Sequence, residues 1–160
     1  MDFDFTEEQT LLRNMVQSFV QDNYDFDKRR EIIQSEEGMS KDNWKQLAEL
    51  GLLGVPFSEN DGGLEFGSVE TMIVAEEFGK GLVVEPYIQT VVTCGGFLRR
   101  ASEAQRQEYL PSLISGDEIW AFAYAEPQPI SNGRLIVSAV MVLVFQGPTL
   151  SCGLAGSLRS

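Results

Sequence analysis

Three places in the sequence carry residue types that can do chemistry. Gly62-Gly63 closes an acidic turn, Glu76-Glu77 lies in an apolar-periodic stretch, and Gln89, Thr90 and Thr93 interrupt a run that is otherwise apolar. A glycine pair can cradle a phosphate, but the Gly-x-Gly-x-x-Gly spacing and a Lys leading into the helix are missing. The pair is read as a tight turn needing positive φ. Adjacent helical glutamates point in different directions and should not act on one atom, so Glu76-Glu77 is read as a solvated edge. Gln89, Thr90 and Thr93 have two readings. Their polar groups bond back to the helix within a packed core, or they orient a ligand along one wall of an apolar slot. The chain has no histidine. A Ser-His-Asp or Cys-His nucleophile is therefore excluded, as is histidine-ligated zinc. Acid–base work is left to carboxylates, Lys, Tyr or Cys. Cys94 and Cys152 show no metal or redox spacing, so no metal site and no disulfide framework are expected.

The elements that must position these residues are mostly helical. Thr6-Glu7-Glu8-Gln9 has the form of a capping box, followed by Leu11, Leu12, Met15, Val16, Phe19 and Val20 at helical spacing. Phe3 and Phe5 are placed to staple its start. Ile32 and Ile33 mark a short helix closed by Gly38, and Ser40 caps a helix running to about Leu50 and stopped by Gly51. Leu52 to Pro56 reads as a short extended piece, with Pro56 biasing Val55 to the β region. Ser68 is read as the cap of a helix ending at Gly79 and Gly81. Pro86 opens another, about Tyr87 to Leu98, apolar nearly all round and so expected to be buried between neighbours. A second capping box, Ser102-x-x-Gln105, opens a helix through Leu113. Gly116-Asp117 turns the chain into a strand, Ile119 to Tyr124.

The 160 residues carry a formal net charge of −12, with 43% hydrophobic and 22% charged residues. That is the composition of an ordinary globular domain. Its field repels nucleic acid and anionic membrane surfaces, so neither is expected as a partner. No apolar run reaches the roughly 20 residues of a spanning helix. The acidic N-terminus lacks the features of a signal peptide, and a reducing, cytoplasmic location is expected.

Four stretches, in order and in register with these elements, resemble the N-terminal part of the acyl-CoA dehydrogenase family: FTEEQTLLRNMVQSFV, WKQLAELGLLGVPFSENDGGL, VAEEFGKG and AFAYAEP. The likeness covers about residues 3–127 and is greatest to the branch that includes the small subunits of pimeloyl-CoA dehydrogenase. The resemblance implies FAD as cofactor, an acyl-CoA substrate oxidised between its α and β carbons, and a homo- or hetero-oligomer. It also implies a helical N-terminal domain, a middle β domain and a C-terminal helical bundle. By position, Ile88, Gln89 and Val92 are this chain's share of the acyl pocket. Phe122, Tyr124 and Ala125 lie in the strand end that faces the flavin in the family, where Ala125 replaces the family's threonine and its hydroxyl. The family's catalytic base is a glutamate in the C-terminal half, so no catalytic residue is assigned here.

Beyond Glu126 the composition changes abruptly. All 24 acidic residues lie at or before that position, and Arg134 and Arg159 are the only charges after it. The tail is read first as a segment foreign to the family, from a changed or truncated reading frame. The other readings are an apolar anchor over residues 135–145 and a β-hairpin of a shortened barrel. The expected organisation is a helical domain over 1–117, the first strand of the middle domain over 118–127, and an atypical tail over 128–160. The expected fold is mainly α: an acyl-CoA dehydrogenase-type helical bundle followed by a short, incomplete β segment. The expected function is the N-terminal part of an FAD-dependent acyl-CoA dehydrogenase, not catalytic on its own. The alternative is a non-catalytic helical module that pairs with a full-length dehydrogenase.

Overall fold

A computed structural model describes residues 4–123, 141–146 and 149–154. Six α-helices are described: α1 (Glu7–Asn23), α2 (Phe26–Gln34), α3 (Lys41–Glu49), α4 (Ser68–Gly81), α5 (Gly95–Leu98) and α6 (Glu103–Ile114). A π-helix, Ile88–Cys94, runs directly into α5. Strand β1 (Ile119–Ala123) pairs antiparallel with β2 (Met141–Gln146), which pairs antiparallel with β3 (Thr149–Leu154).

The helix starts follow from their capping chemistry. Gln9 N–H donates to the Thr6 hydroxyl at 3.2 Å, and the Gln9 side chain accepts from Thr6 N–H at 3.0 Å. Ser102 and Gln105 repeat the arrangement at α6. Ser40 accepts from Asn43 N–H at the start of α3. At α4 the cap differs from the expectation. Ser68 is already helical, and Glu70 reaches back to accept from Gly67 N–H at 2.7 Å. The other Glu70 oxygen takes the Gln9 amide at 2.7 Å, so the starts of α1 and α4 are tied together.

The core is one cluster of buried side chains. Leu12, Val16 and Phe19 of α1 contribute to it, with Trp44 and Leu47 of α3, Val74 and Phe78 of α4, and Leu110 and Leu113 of α6. Leu11, which shares the predicted stripe, faces solvent. Residues 52–56 are not extended. Leu52–Gly54 forms a 3-10 turn, and Val55 is right-handed helical at φ −47°, ψ −51°. The segment is fully buried and pairs with no strand among the described residues, so its polar backbone bonds locally. Gly54 and Phe57 donate to Gly51 and Gly54 carbonyls, and the loop to Phe66 folds back onto it. That loop holds the glycine pair, and Gly62 has the expected positive φ of 85°. Gly63 is needed for room, because a Cβ there would collide with the Phe57 carbonyl.

Only half of Glu76-Glu77 is the expected solvated edge: Glu76 is exposed and Glu77 is not. Glu77 is only 3% exposed. Lys80 Nζ lies 2.8 Å from both Glu76 and Glu77, because an i,i+3 and an i,i+4 reach converge on one flexible cation. Arg13 Nε of α1 donates to Glu77 at 2.8 Å, which joins α1 to α4. The glutamates therefore do meet on one atom, a lysine nitrogen.

Candidate functional site

The π-helix and β1 carry the residues singled out above, and one side chain holds the two together. Thr90 is fully buried. Its hydroxyl donates to the Trp120 carbonyl at 2.8 Å and accepts from Trp120 N–H at 3.2 Å. It thus serves the strand rather than bonding back to its own helix. Phe122 follows two residues later on the same strand and stacks on Phe97, with ring centroids 4.8 Å apart and planes 17° apart. Gly95 allows the helix to sit where it does, since a Cβ there would lie 2.5 Å from Phe57 Cζ.

The helix is not buried on all sides. Thr90, Val91 and Cys94 face inward, while Ile88 is 48% exposed and Phe97 41%. An all-round apolar helix was expected to be covered on every side. Among the described residues, elements cover it on its inward side. The three predicted acyl-facing residues sit within two turns of one helix but on three separate clefts. Ile88 borders one of about 310 Å³ with Glu85, Tyr87, Leu82 and Arg29. Gln89 borders one of about 810 Å³ with Trp44, Lys45 and Trp120. Val92 borders one of about 640 Å³ with Thr93, Phe97, Arg99 and Arg100. Tyr124 and Ala125 lie outside the described residues.

Burial sets the protonation chemistry of this region. Burial raises the Glu85 carboxyl above its ordinary value, and the Ser40 N–H that donates to it at 3.2 Å offsets only part of that. Among the described residues the second Glu85 oxygen and the Tyr87 hydroxyl are buried without a hydrogen-bond partner. Desolvation also raises the Tyr87 phenol and pushes the Cys94 thiol up to about 11, so Cys94 is a neutral packing group near neutral pH. No group of three or more metal-ligating side chains exists among the described residues. Sequence reasoning missed Glu85 and the role of Thr90. A Glu-Pro pair ahead of an apolar helix was the only signal for the first, and nothing local marked the second.

For the cofactor that the resemblance implies, the described residues offer one fitting feature. Phe122 is a half-buried aromatic ring near the end of a strand that Thr90 anchors, and with Phe97 it forms a stacked aromatic pair of the kind a planar ring system packs beside.

The acyl-CoA dehydrogenase N-terminal domain model matches residues 6–117. Acryloyl-CoA reductase (NADH) of Anaerotignum propionicum is 28% identical over 144 residues, spanning 89% of this chain and 36% of that protein. Mitochondrial isovaleryl-CoA dehydrogenase of Pongo abelii is 38% identical over 131 residues, spanning 79% and 31%. Among solved structures, the ChsE4–ChsE5 complex from Mycobacterium tuberculosis superposes with a TM-score of 0.74 at 27% identity, covering 89% of this chain and 40% of that one. The FAD complex of PigA gives 0.68 at 25% identity, covering 89% and 40%. The chain thus spans about a third of the length of the curated relatives it matches. A helical bundle with these caps, matched from Thr6 to Asp117, places the chain in the acyl-CoA dehydrogenase family, of which it carries the N-terminal domain.

Proposed function

We propose that the protein to which this domain belongs oxidises an acyl-CoA thioester between its α and β carbons with FAD. The domain supplies one wall of the cleft. The observation that carries this reading is the Thr90 clamp. It holds the helix bearing Ile88, Gln89 and Val92 against the strand bearing Phe122. In this reading Ile88 and Val92 give apolar contact, Gln89 orients the thioester, and Phe122, Tyr124 and Ala125 line the flavin edge. Bound FAD would supply the two-electron acceptor chemistry that such an oxidation needs. The domain's part is to position the chain and exclude water. No base is assigned within it, and activity is not expected from the 160 residues alone.

The FAD complex of PigA supports a flavin in a relative of this fold. A buried Cys94 thiol, free of any disulfide, supports a reducing cytoplasmic location. The test is amide hydrogen exchange on the purified 160-residue chain, with and without butyryl-CoA and FAD. Protection confined to residues 88–98 and 119–123 is expected. Absence of any ligand-dependent protection overturns the reading. Turnover of the thioester by this chain alone overturns the statement that the base lies elsewhere.

Two observations favour a second reading, a non-catalytic subunit within a hetero-oligomer. A relative of this fold was solved as the ChsE4–ChsE5 complex, and Phe26, Leu82 and Ile88 are exposed apolar side chains here. A colourless chain that co-purifies with a longer family member would select this reading.

A further inference from the structure

The third cleft differs from the other two in its charge. It is walled by Val92, Thr93, Gly96 and Phe97, and its charged residues are Arg99 and Arg100, with no carboxylate on its lining. The first cleft is lined by both Arg29 and Glu85, and the second mixes lysines with Glu37, Asp42 and Asp117. Most other cations are already spent. Arg13, Lys28, Lys41, Lys45, Lys80 and Arg106 each sit in an ion pair. Among the described residues Arg99 and Arg100 make no ion pair, and Arg99 Nη1 donates to the Pro56 carbonyl at 3.4 Å. A chain with a net charge of −12 repels anions at long range. An anionic ligand therefore needs a local exception, and guanidinium groups beside an apolar wall provide one.

We propose that this cleft binds an anionic oxygen group, carboxylate or phosphate, carried by the acyl thioester, with Arg99 and Arg100 as its recognition residues. The inference rests on the thioester reading above. Val92 and Phe97 cover apolar substrate atoms while the two guanidiniums take the charged end. The anion has two sources, a terminal carboxylate on the acyl chain or the phosphates of CoA.

Calorimetric titration of the 160-residue chain with four probes separates them: hexanoyl-CoA, adipoyl-CoA, and the N-acetylcysteamine thioesters of hexanoate and adipate. Binding of at least one anionic probe about tenfold tighter than the neutral hexanoyl N-acetylcysteamine thioester is expected. The preference should disappear in Arg99→Gln/Arg100→Gln and persist in Arg30→Gln. Retention of the preference by adipoyl N-acetylcysteamine assigns the carboxylate, and its restriction to the CoA esters assigns the phosphates. Arg100→Gln alone leaves the Pro56 contact intact and should weaken the preference without altering the circular dichroism spectrum. Equal binding of neutral and anionic probes overturns the inference and leaves the thioester reading standing, as does a preference unchanged in the double variant. No binding of any thioester overturns both.

Discussion

Thr90 shows how one hydroxyl can unite two elements that the sequence separates by thirty positions. Its two hydrogen bonds to Trp120 satisfy a backbone N–H and a carbonyl on the side of β1 that turns away from β2. Valine has nearly the same shape and neither bond. Thr90→Val is expected to cost about 1–3 kcal/mol, because it strands buried polar groups. Thr90→Ser should recover most of that loss. Urea midpoints of the two variants check this, and a Thr90→Val midpoint equal to wild type would contradict the clamp. Residue-scale legibility was uneven. The Thr6 and Ser102 caps were readable because capping is a contact over three positions. Glu76-Glu77 was not, because its character depends on Arg13, sixty-four positions from Glu77.

Elements meet here through close approaches that depend on missing side chains. Phe57 is wholly buried, and Gly63 and Gly95 both make room for it. Gly95→Ala puts a methyl 2.5 Å from a ring that is closed in on other sides. The expected result is a loss of about 1–3 kcal/mol from overpacking, read by thermal denaturation, with a shift of the π-helix away from the 52–57 turn visible in amide exchange. Unchanged stability would mean that the ring relaxes freely. The helix boundaries were legible from caps and stop signals. Two geometries were not. The Leu52–Gly54 turn and the π-helical winding of Ile88–Cys94 answer to burial and to a neighbouring strand, and neither leaves a local composition signature. Most of the tail read as a foreign segment, residues 128–160, and most of the 135–145 anchor lie outside the described residues. Met141–Gln146, by contrast, is paired on both edges by β1 and β3.

Across the whole molecule, two sets of carboxylates give stability opposite pH dependences. Burial raises Glu85, so its neutral form suits the folded state. Its contribution is fully present below the unfolded value near 4.5 and is lost as pH rises through the folded value. Glu77 runs the other way. Burial alone would raise it, but hydrogen bonds from Lys80, Arg13 and Gln17 outweigh burial and lower it. Glu70 is lowered chiefly by the Gln9 amide. Their contributions are present above the unfolded value and lost as pH falls through the folded one. Wild-type stability is therefore expected to peak in mildly acidic solution. Glu85→Gln keeps an acceptor for Ser40 N–H and removes the ionisation. It should lessen the decline on the alkaline side of 4.5 and leave the acid limb unchanged. Urea midpoints of both proteins across that range decide it, and parallel curves would exclude Glu85 as a source of the decline.

By itself the sequence determined the helical class, the caps at Thr6, Ser40 and Ser102, the acidity, the absence of histidine chemistry and the family. Each of these depends on composition or on contacts within a few positions along the chain. Only the tertiary structure decided which polar groups are buried, that Thr90 pins the π-helix to β1, that Glu77 is an internal ion-pair residue, and that Ile88, Gln89 and Val92 open onto three clefts. Those facts depend on where distant segments come to rest, and burial and electrostatic environment are properties of that arrangement rather than of any local stretch.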